Sequence, residues 1–392
     1  MNRRMTSQLF PRPITMGLVA GLLCCLPSNN LYPQTSVETN VVVVSDGSSP
    51  TNASPGYAGA ASAVMGFAQL GPVSGASTYL LSLTGDAQEA SELELSLVSD
   101  IDASVSHAAV VSQSEGTSAQ ASAADIRLTG CSGFWGGGVT TITADFVMSE
   151  ANAACSTNGA AFSGESQISG LAVDGQPVAV TGQAGQFVFL TGGGFMVINE
   201  QLTGQASLMV DGKSVTADGI AVNALHVILP CAGVNVVFGS SAAGIGCGNE
   251  TNSFVANQAC DDFTTGGGWI TGTPSGAKAN FGVAGGVKQG AFWGHLDYID
   301  HGSGMRVKHT AVTGYSVDPN DANCRLISYA VTIDGQPGTA DVHLCDLGEP
   351  GGNDRFEIQL SNGYSASGDL GGSQPGGGNI QLHECQNGEI AN

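Results

Sequence analysis

Three Asp-Gly pairs punctuate this chain in nearly the same setting: VDGQPV around Asp174, VDGKSV around Asp211 and IDGQPG around Asp334. Asp-Gly supplies the positive φ that a tight hairpin turn demands, so each pair is expected to join two antiparallel strands. Apolar residues alternate between such turns. In ELELSLVSDIDASV, residues Leu93, Leu95, Leu97, Ile101, Ala103 and Val105 share one parity; Ile142, Ala144, Phe146 and Met148 do so further on, as do Val234, Val236 and Phe238. A period of two puts each set on one face of a strand. No capped apolar period of 3.6 is sustained, although the Ala-rich part after His107 leaves a helical alternative open. The chain therefore reads as all-β: two antiparallel β-sandwich or barrel-like domains after an N-terminal signal segment.

That segment carries Arg3, Arg4 and Arg12 ahead of the apolar run ITMGLVAGLLCCL, the order of a secretory signal. The run is short for a bilayer span, so no membrane span is expected in the mature chain. Leu-Leu before Cys24 departs from a lipobox, which leaves cleaved export as the main reading beside lipidation of Cys24 or Cys25 or a retained anchor. Residues 1–36 are taken as the signal and the start of a linker, 37–252 as a first β domain and 253–392 as a second, each expected to fold by itself.

Of the 10 cysteines, Cys24 and Cys25 fall in the signal. The remainder divide evenly between the two domains, as a disulfide framework in an exported protein would. No CxxC or CxxxC pair suggests a thiolate metal site. With Asp334 and Gly335 as a two-residue turn, Cys324 and Cys345 lie equally far from it and face each other across the ladder, where a bridge is feasible. Cys231 and Cys247 flank Gly239 symmetrically and suggest a second local bridge. Elimination within each half leaves Cys131–Cys155 and Cys260–Cys385.

Acidic residues number 33 against 11 basic ones, for a net charge of −22. Nucleic acid is an unsuitable partner for such a chain, because phosphate binding needs clustered Lys and Arg. The stretch GGGWITGTPSGAKANFG from Gly266 raises the question of a phosphate loop. Ala277 separates Lys278 from Gly276, and Ala279 stands where Ser or Thr is required, so the motif fails. A Gly-rich strand and turn region remains, in which glycine permits close sheet packing.

No nucleophile elbow or zinc-protease motif is present. The densest group of reactive side chains is GHLDYIDH, where His295, Asp297, Asp300 and His301, with Trp293 beside them, form a candidate ligand surface. As an enzyme, Asp297 and Asp300 with His301 would have to meet in a cleft to act on a polysaccharide. The loop CDLGEPGGNDRFEI offers Asp346, Glu349 and Asp354 as calcium candidates through hard oxygen ligands. No other cofactor is indicated. Trp135, Trp269 and Trp293 are the candidate glycan platforms.

The stretches LAVDGQPVAVTGQAG, NEQLTG and VNALHVILPCAGVNVVFGSSAAGI resemble the choice-of-anchor P family of bacterial surface proteins, over roughly Ser54 to Gly248. The segments GGGWITG, KANFGV, GHLDYIDH, MRVKHTAVTGYSV, DLGEPGGNDRFEIQLSNGYSASG and GGNIQLH are similar to the post-COAP type of domain that trails that family. The resemblance implies export to the cell surface or periplasm and no known reaction. The end HECQNGEIAN shows no sorting motif, so anchoring by the C-terminus is not expected. Together these readings point to a secreted or surface-displayed structural or adhesive binding module, with surface glycans or extracellular matrix components as partners. The rival readings are a polysaccharide-active enzyme and a calcium-dependent carbohydrate-binding protein.

Overall fold

The computed structural model describes residues 57–68, 71–82, 86–97, 100–113, 116–132, 138–156, 159–190, 193–210, 213–247, 262–349, 351–372 and 376–384. The signal segment, Trp135, the side chain of Cys131, the Asp211 turn and the Cys260–Cys385 pair lie outside the described residues. Strands follow one another almost without interruption: β1 (Tyr57–Ala68), β2 (Gly71–Ser74), β3 (Ser77–Ser82), β4 (Asp86–Leu97), β5 (Ile101–Gln113), β6 (Gly116–Ser132), β7 (Gly138–Ser156), β8 (Gly159–Ser169), β9 (Ala172–Val173), β10 (Gln176–Pro177), β11 (Gln186–Leu190), β12 (Gly194–Val210), β13 (Lys213–Leu229) and β14 (Val234–Ile245), with a 3-10 turn at Pro230–Ala232. The second region adds β15 (Phe263–Ile270), β16 (Ala279–Lys288), β17 (Ala291–Asp300), β18 (Met305–Asp318), β19 (Asp321–Ile333), β20 (Gln336–Cys345), β21 (Arg355–Leu360), β22 (Ser365–Asp369) and β23 (Gly378–His383). The Ala-rich part after His107 is strand, as the all-β reading requires. Among the described residues no helix is long and apolar enough to cross a membrane.

Three antiparallel sheets result. The first runs β11-β12-β13-β14-β1-β2, with β3 also on β1; the middle one runs β10-β9-β7-β6-β5-β4, with β8 on β7; the third runs β22 back to β15 and closes on β23. First and middle sheets enclose an apolar core that includes Val64, Ile126, Ile142, Ile198, Leu225 and Phe238. The third sheet curls into a half-barrel around a core of its own, including Phe281, Tyr298, Tyr329 and Phe356. Its convex face packs on the middle sheet: Val105, Ala124, Phe146 and Met148 meet Trp269 and Ile299, while Ala87 and Val111 meet Phe263. The middle sheet is therefore covered on both faces.

Two readings of the alternation are corrected by this arrangement. Residues 93–105 are two strands, not one, with Leu97 paired to Ile101, and they do not share a face: Ile101 and Ala103 enter the first-sheet core while Val105 faces the third sheet. Ile142 and Ala144 face the first sheet, but Phe146 and Met148 face the third. The change of face occurs at Asp145, opposite Asp125, where the ladder skips from Ala124↔Phe146 to Ile126↔Ala144. Asp125 (φ 49°) and Glu94 (φ 56°) take left-handed backbone along this row, as Asn199 (φ 53°) and Gly239 (φ 65°) do across the first sheet. A left-handed residue rotates the peptide planes after it and exchanges the two faces.

The Asp334–Gly335 hairpin forms as its sequence requires, with φ of 49° and 79°, and Cys324 pairs with Cys345 in register. Their disulfide spans a Cα–Cα distance of 4.1 Å. The other local pairings are corrected: Cys155 bonds Cys247, at a Cα–Cα distance of 5.6 Å, stapling the middle sheet to the first. Cys231 lies before β14 and Cys247 beyond its far end, so a strand of 12 residues, about 40 Å long, keeps them apart. Cys131 of β6 stands opposite Val139 at one end of β7, and Cys155 lies at the other end of β7, opposite Ala160. Cys231 is itself disulfide-bonded. Such bridges are consistent with an oxidising compartment.

The glycines of GGGWITGTPSGAKANFG now have a purpose. A side chain at Gly267 would strike Ser122 Oγ, and a Cβ at Gly282 would sit 2.9 Å from His107 Cβ. Their bareness lets the third sheet approach the middle one. We expect Gly282→Ala to lower stability by about 1–3 kcal/mol, measured by urea unfolding. Gly352→Ala, whose Cβ would meet nothing within 4 Å, is the control, with a change of about 0.5 kcal/mol or less.

Candidate functional site

The residues grouped as a ligand surface fall mostly inside the contact between middle and third sheets. On β17, Leu296 and Tyr298 enter the half-barrel core, so His295 and Asp297 point the opposite way, and both are 0% exposed. His295 Nε2 lies 2.9 Å from Nδ1 of His107 on β5, and its Nδ1 lies 2.5 Å from Oε2 of Glu89 on β4. His309 of β18 sits beside them, its ring centroid 5.9 Å from that of His295. Both oxygens of Asp297 and Nδ1 of His309 lack a hydrogen-bond partner among the described residues. Burial, reinforced by His295, pushes His107 down to about 3. Burial opposes the charge on Glu89, but His295 outweighs it and holds that carboxyl at about 2.

The other named residues separate. Asp300 closes the following turn, accepting from Gly302 N at 2.8 Å, Ser303 Oγ at 2.9 Å and Tyr364 OH at 3.0 Å. His301 Nε2 contacts Asp125 Oδ2 at 2.9 Å, and Lys278 Nζ reaches Asp125 Oδ1 at 2.6 Å. The lysine that raised the phosphate-loop question thus belongs to an ion pair between sheets. Asp297, Asp300 and His301 do not meet in a cleft. Trp293 packs edge-on against Phe263 with centroids 5.2 Å apart, and Trp269 is buried beneath Lys278.

Of the calcium candidates, Asp354 is fully buried and accepts from Leu347 N and Ile380 N, each at 2.8 Å. Asp346 accepts from Gly348 N at 3.1 Å and Leu382 N at 3.0 Å. These two carboxylates shape backbone. Glu349 instead reaches Glu150 and Glu165 of the middle sheet, the ligand atoms of all three lying within 4.8 Å of one another.

A surface the sequence reading missed lies on the outer face of the first sheet. Met196 and Ile198 enter the core, so Phe195 and Val197 lie on the opposite face, Phe195 half-buried and Val197 covered. Edge strand β11 adds Phe187, 58% exposed, and Phe189, 82% exposed; Phe189 pairs with Phe195, and the Phe187 and Phe195 ring centroids are 5.9 Å apart. A polar row adjoins these rings. His226 Nδ1 contacts Glu200 Oε2 at 3.1 Å and its Nε2 contacts Asn235 Oδ1 at 2.7 Å, while Asn223 Nδ2 donates to Glu200 Oε2 at 2.8 Å. Burial works against a charged His226, yet its bonds to Glu200 and Asn235 raise its pKa; the bond from His226 lowers that of Glu200. The legible signal was the alternation of Phe187 and Phe189 in QFVFL, together with polar residues inside NEQLTG, VNALHVILP and GVNVVF.

Acid should loosen the buried histidine contact. His107 is neutral in the fold, so as pH drops below 6.5 the unfolded chain gains a proton the fold refuses, and stability is lost down to about 3. Glu89 adds to the loss between 4.5 and about 2, because its folded pKa is depressed. Urea midpoints at pH 7 and pH 4 are expected to differ less in His107→Gln than in the native protein; an equal difference would refute this assignment.

No protein-family model matches the chain. No curated protein matches it either. Among solved structures, kievitone hydratase from Nectria haematococca is 8% identical, covers 84% of this chain and 88% of its own, and superposes with a TM-score of 0.16. A likeness at that level carries no argument about this chain.

Proposed function

We propose that this protein is an exported structural or adhesive binding module of a bacterial surface, and that it takes glycans on the outer face of its first sheet. The observation that supports the reading is the exposed pair Phe187 and Phe189 with the half-buried Phe195, beside Glu200, Asn223, His226 and Asn235. Aromatic rings give an apolar platform for the C–H face of a sugar, and acids and amides at its border satisfy hydroxyls. Large apolar side chains gathered at an exposed edge, rimmed by polar ones, are what an interaction site requires. The motifs that carry the choice-of-anchor P resemblance contribute Glu200, Asn223, His226 and Asn235, so the likeness and the surface bear on the same residues. The disulfides agree with an exported setting.

The polysaccharide-active alternative has less support, because Asp297 is buried between sheets and Asp300 and His301 are engaged elsewhere. A glycan array probed with the full chain tests the proposal. Binding to at least one glycan class, reduced about tenfold or more in Phe187→Ser/Phe189→Ser with an unchanged unfolding curve, is the expected result. Glycan binding that the double variant leaves intact would place the site elsewhere, and an array with no binding would remove the glycan reading.

A further inference from the structure

Glu150 and Glu165 are directly opposite partners on β7 and β8. Like charges in that position repel. Glu349, from the loop after β20, joins them from the third sheet, so three carboxylates with ligand atoms within 4.8 Å of one another meet where two sheets touch. The charged groups acting on Glu349 are Glu150, Glu165 and Asp346, all acidic, and burial together with that crowding lifts the pKa values of Glu150 and Glu349 well above the ordinary carboxylate range. The fold thus collects negative charge at this point, and among the described residues no ion pair to Glu150, Glu165 or Glu349 is formed.

A second observation comes from Asn379 of β23, which is 0% exposed. Its amide head sits inside the cluster, with Nδ2 donating to Glu150 Oε2 at 2.9 Å and to Glu349 Oε1 at 3.1 Å. Its carbonyl Oδ1 has no hydrogen-bond partner among the described residues, and neither has the buried Oε1 of Glu165. A half turn of the amide about its last torsion exchanges Nδ2 with Oδ1 and presents the carbonyl to the same carboxylates. A cation would satisfy these two orphaned oxygen acceptors and the three carboxylates together; the competing arrangement is a proton held on one or more of the carboxyls.

We infer that Glu150, Glu165, Glu349 and Asn379 form a calcium site that clamps the third sheet to the middle one. Calcium takes oxygen ligands at about 2.3–2.6 Å, so its ligands can lie up to about 5 Å apart, which accommodates oxygens within 4.8 Å of one another. Magnesium demands near-ideal octahedral geometry at about 2.0–2.1 Å and sheds water reluctantly, which side chains from separate strands satisfy less readily than the flexible sphere of calcium. Glu349 is exposed and provides the way in. Asn152 and Gln381 orient Glu150 Oε1 from its other side, at 2.5 Å and 3.2 Å. The site does not depend on the glycan reading of the first sheet, since it shares no residue with that face.

The test uses the full chain, stripped with chelator and titrated with calcium chloride by calorimetry, alongside thermal unfolding in calcium, magnesium or sodium at matched ionic strength. One calcium per chain and a midpoint raised by calcium more than by magnesium are expected. Glu165→Gln should weaken calcium binding at least about tenfold and, in chelator, unfold no earlier than the native protein, because it removes one of the repelling charges. If Glu165→Gln does not fold, Glu349→Gln in the exposed loop replaces it with the same expectation. Identical curves in calcium and sodium, an equal rise in magnesium, or native calcium affinity in the Gln variant would each overturn the inference.

Discussion

The middle sheet is covered on both faces, and the two faces are chemically unlike. Toward the first sheet it presents Ile126, Leu128, Ile142 and Val147, an ordinary apolar core. Toward the third sheet it presents Val105, Phe146 and Met148 interspersed with Glu89, His107, Gln120 and Glu150. A buried polar group left unpaired there costs about 1–3 kcal/mol, and while Glu89, His107 and Glu150 find partners, Gln120 has no hydrogen-bond partner among the described residues. The bare glycines of β15 and β16, the Glu89–His295–His107 chain, the Lys278–Asp125 pair and the carboxylate cluster at Glu150 all bear on that one cost.

The phase change along Asp125 and Asp145 makes such a sheet possible. Without it, Ile142 and Phe146 would share a face and one side of β7 would lack apolar residues over half its length. The same row puts Asp125 in left-handed backbone, where its carboxylate receives Ser104 Oγ at 2.7 Å, Asn280 Nδ2 at 2.5 Å and Lys278 Nζ at 2.6 Å. Strain in the strand is thereby tied to attachment of the third sheet.

Local features were legible in the sequence. Asp334–Gly335 determined a turn, the turn determined a register, and the register brought Cys324 to Cys345, because every step lies within one hairpin. Features that depend on the length or phase of a strand were not. Sequence symmetry around Gly239 says nothing of the 12-residue strand that carries Cys231 and Cys247 apart. Strict alternation from Ile142 to Met148 conceals a change of face, since parity is blind to one left-handed residue in the neighbouring strand. The candidate site was legible in part for the same reason: Glu349 stood out in its loop, but its companions Glu150, Glu165 and Asn379 come from three strands far away in sequence. The aromatic edge at Phe187 and Phe189 passed for ordinary strand alternation, because nothing local distinguishes an inner face from an outer one.

The contact between middle and third sheets is the structural centre of the described region, and native-state hydrogen exchange across a series of sub-denaturing urea concentrations measures this directly. Amides of β5, β6 and β7 should merge into a single unfolding isotherm with those of β15, β16 and β17, because neither set keeps its buried polar partners when the other departs. A third sheet that opens at clearly lower free energy, leaving β5 to β7 fully protected, would contradict the account.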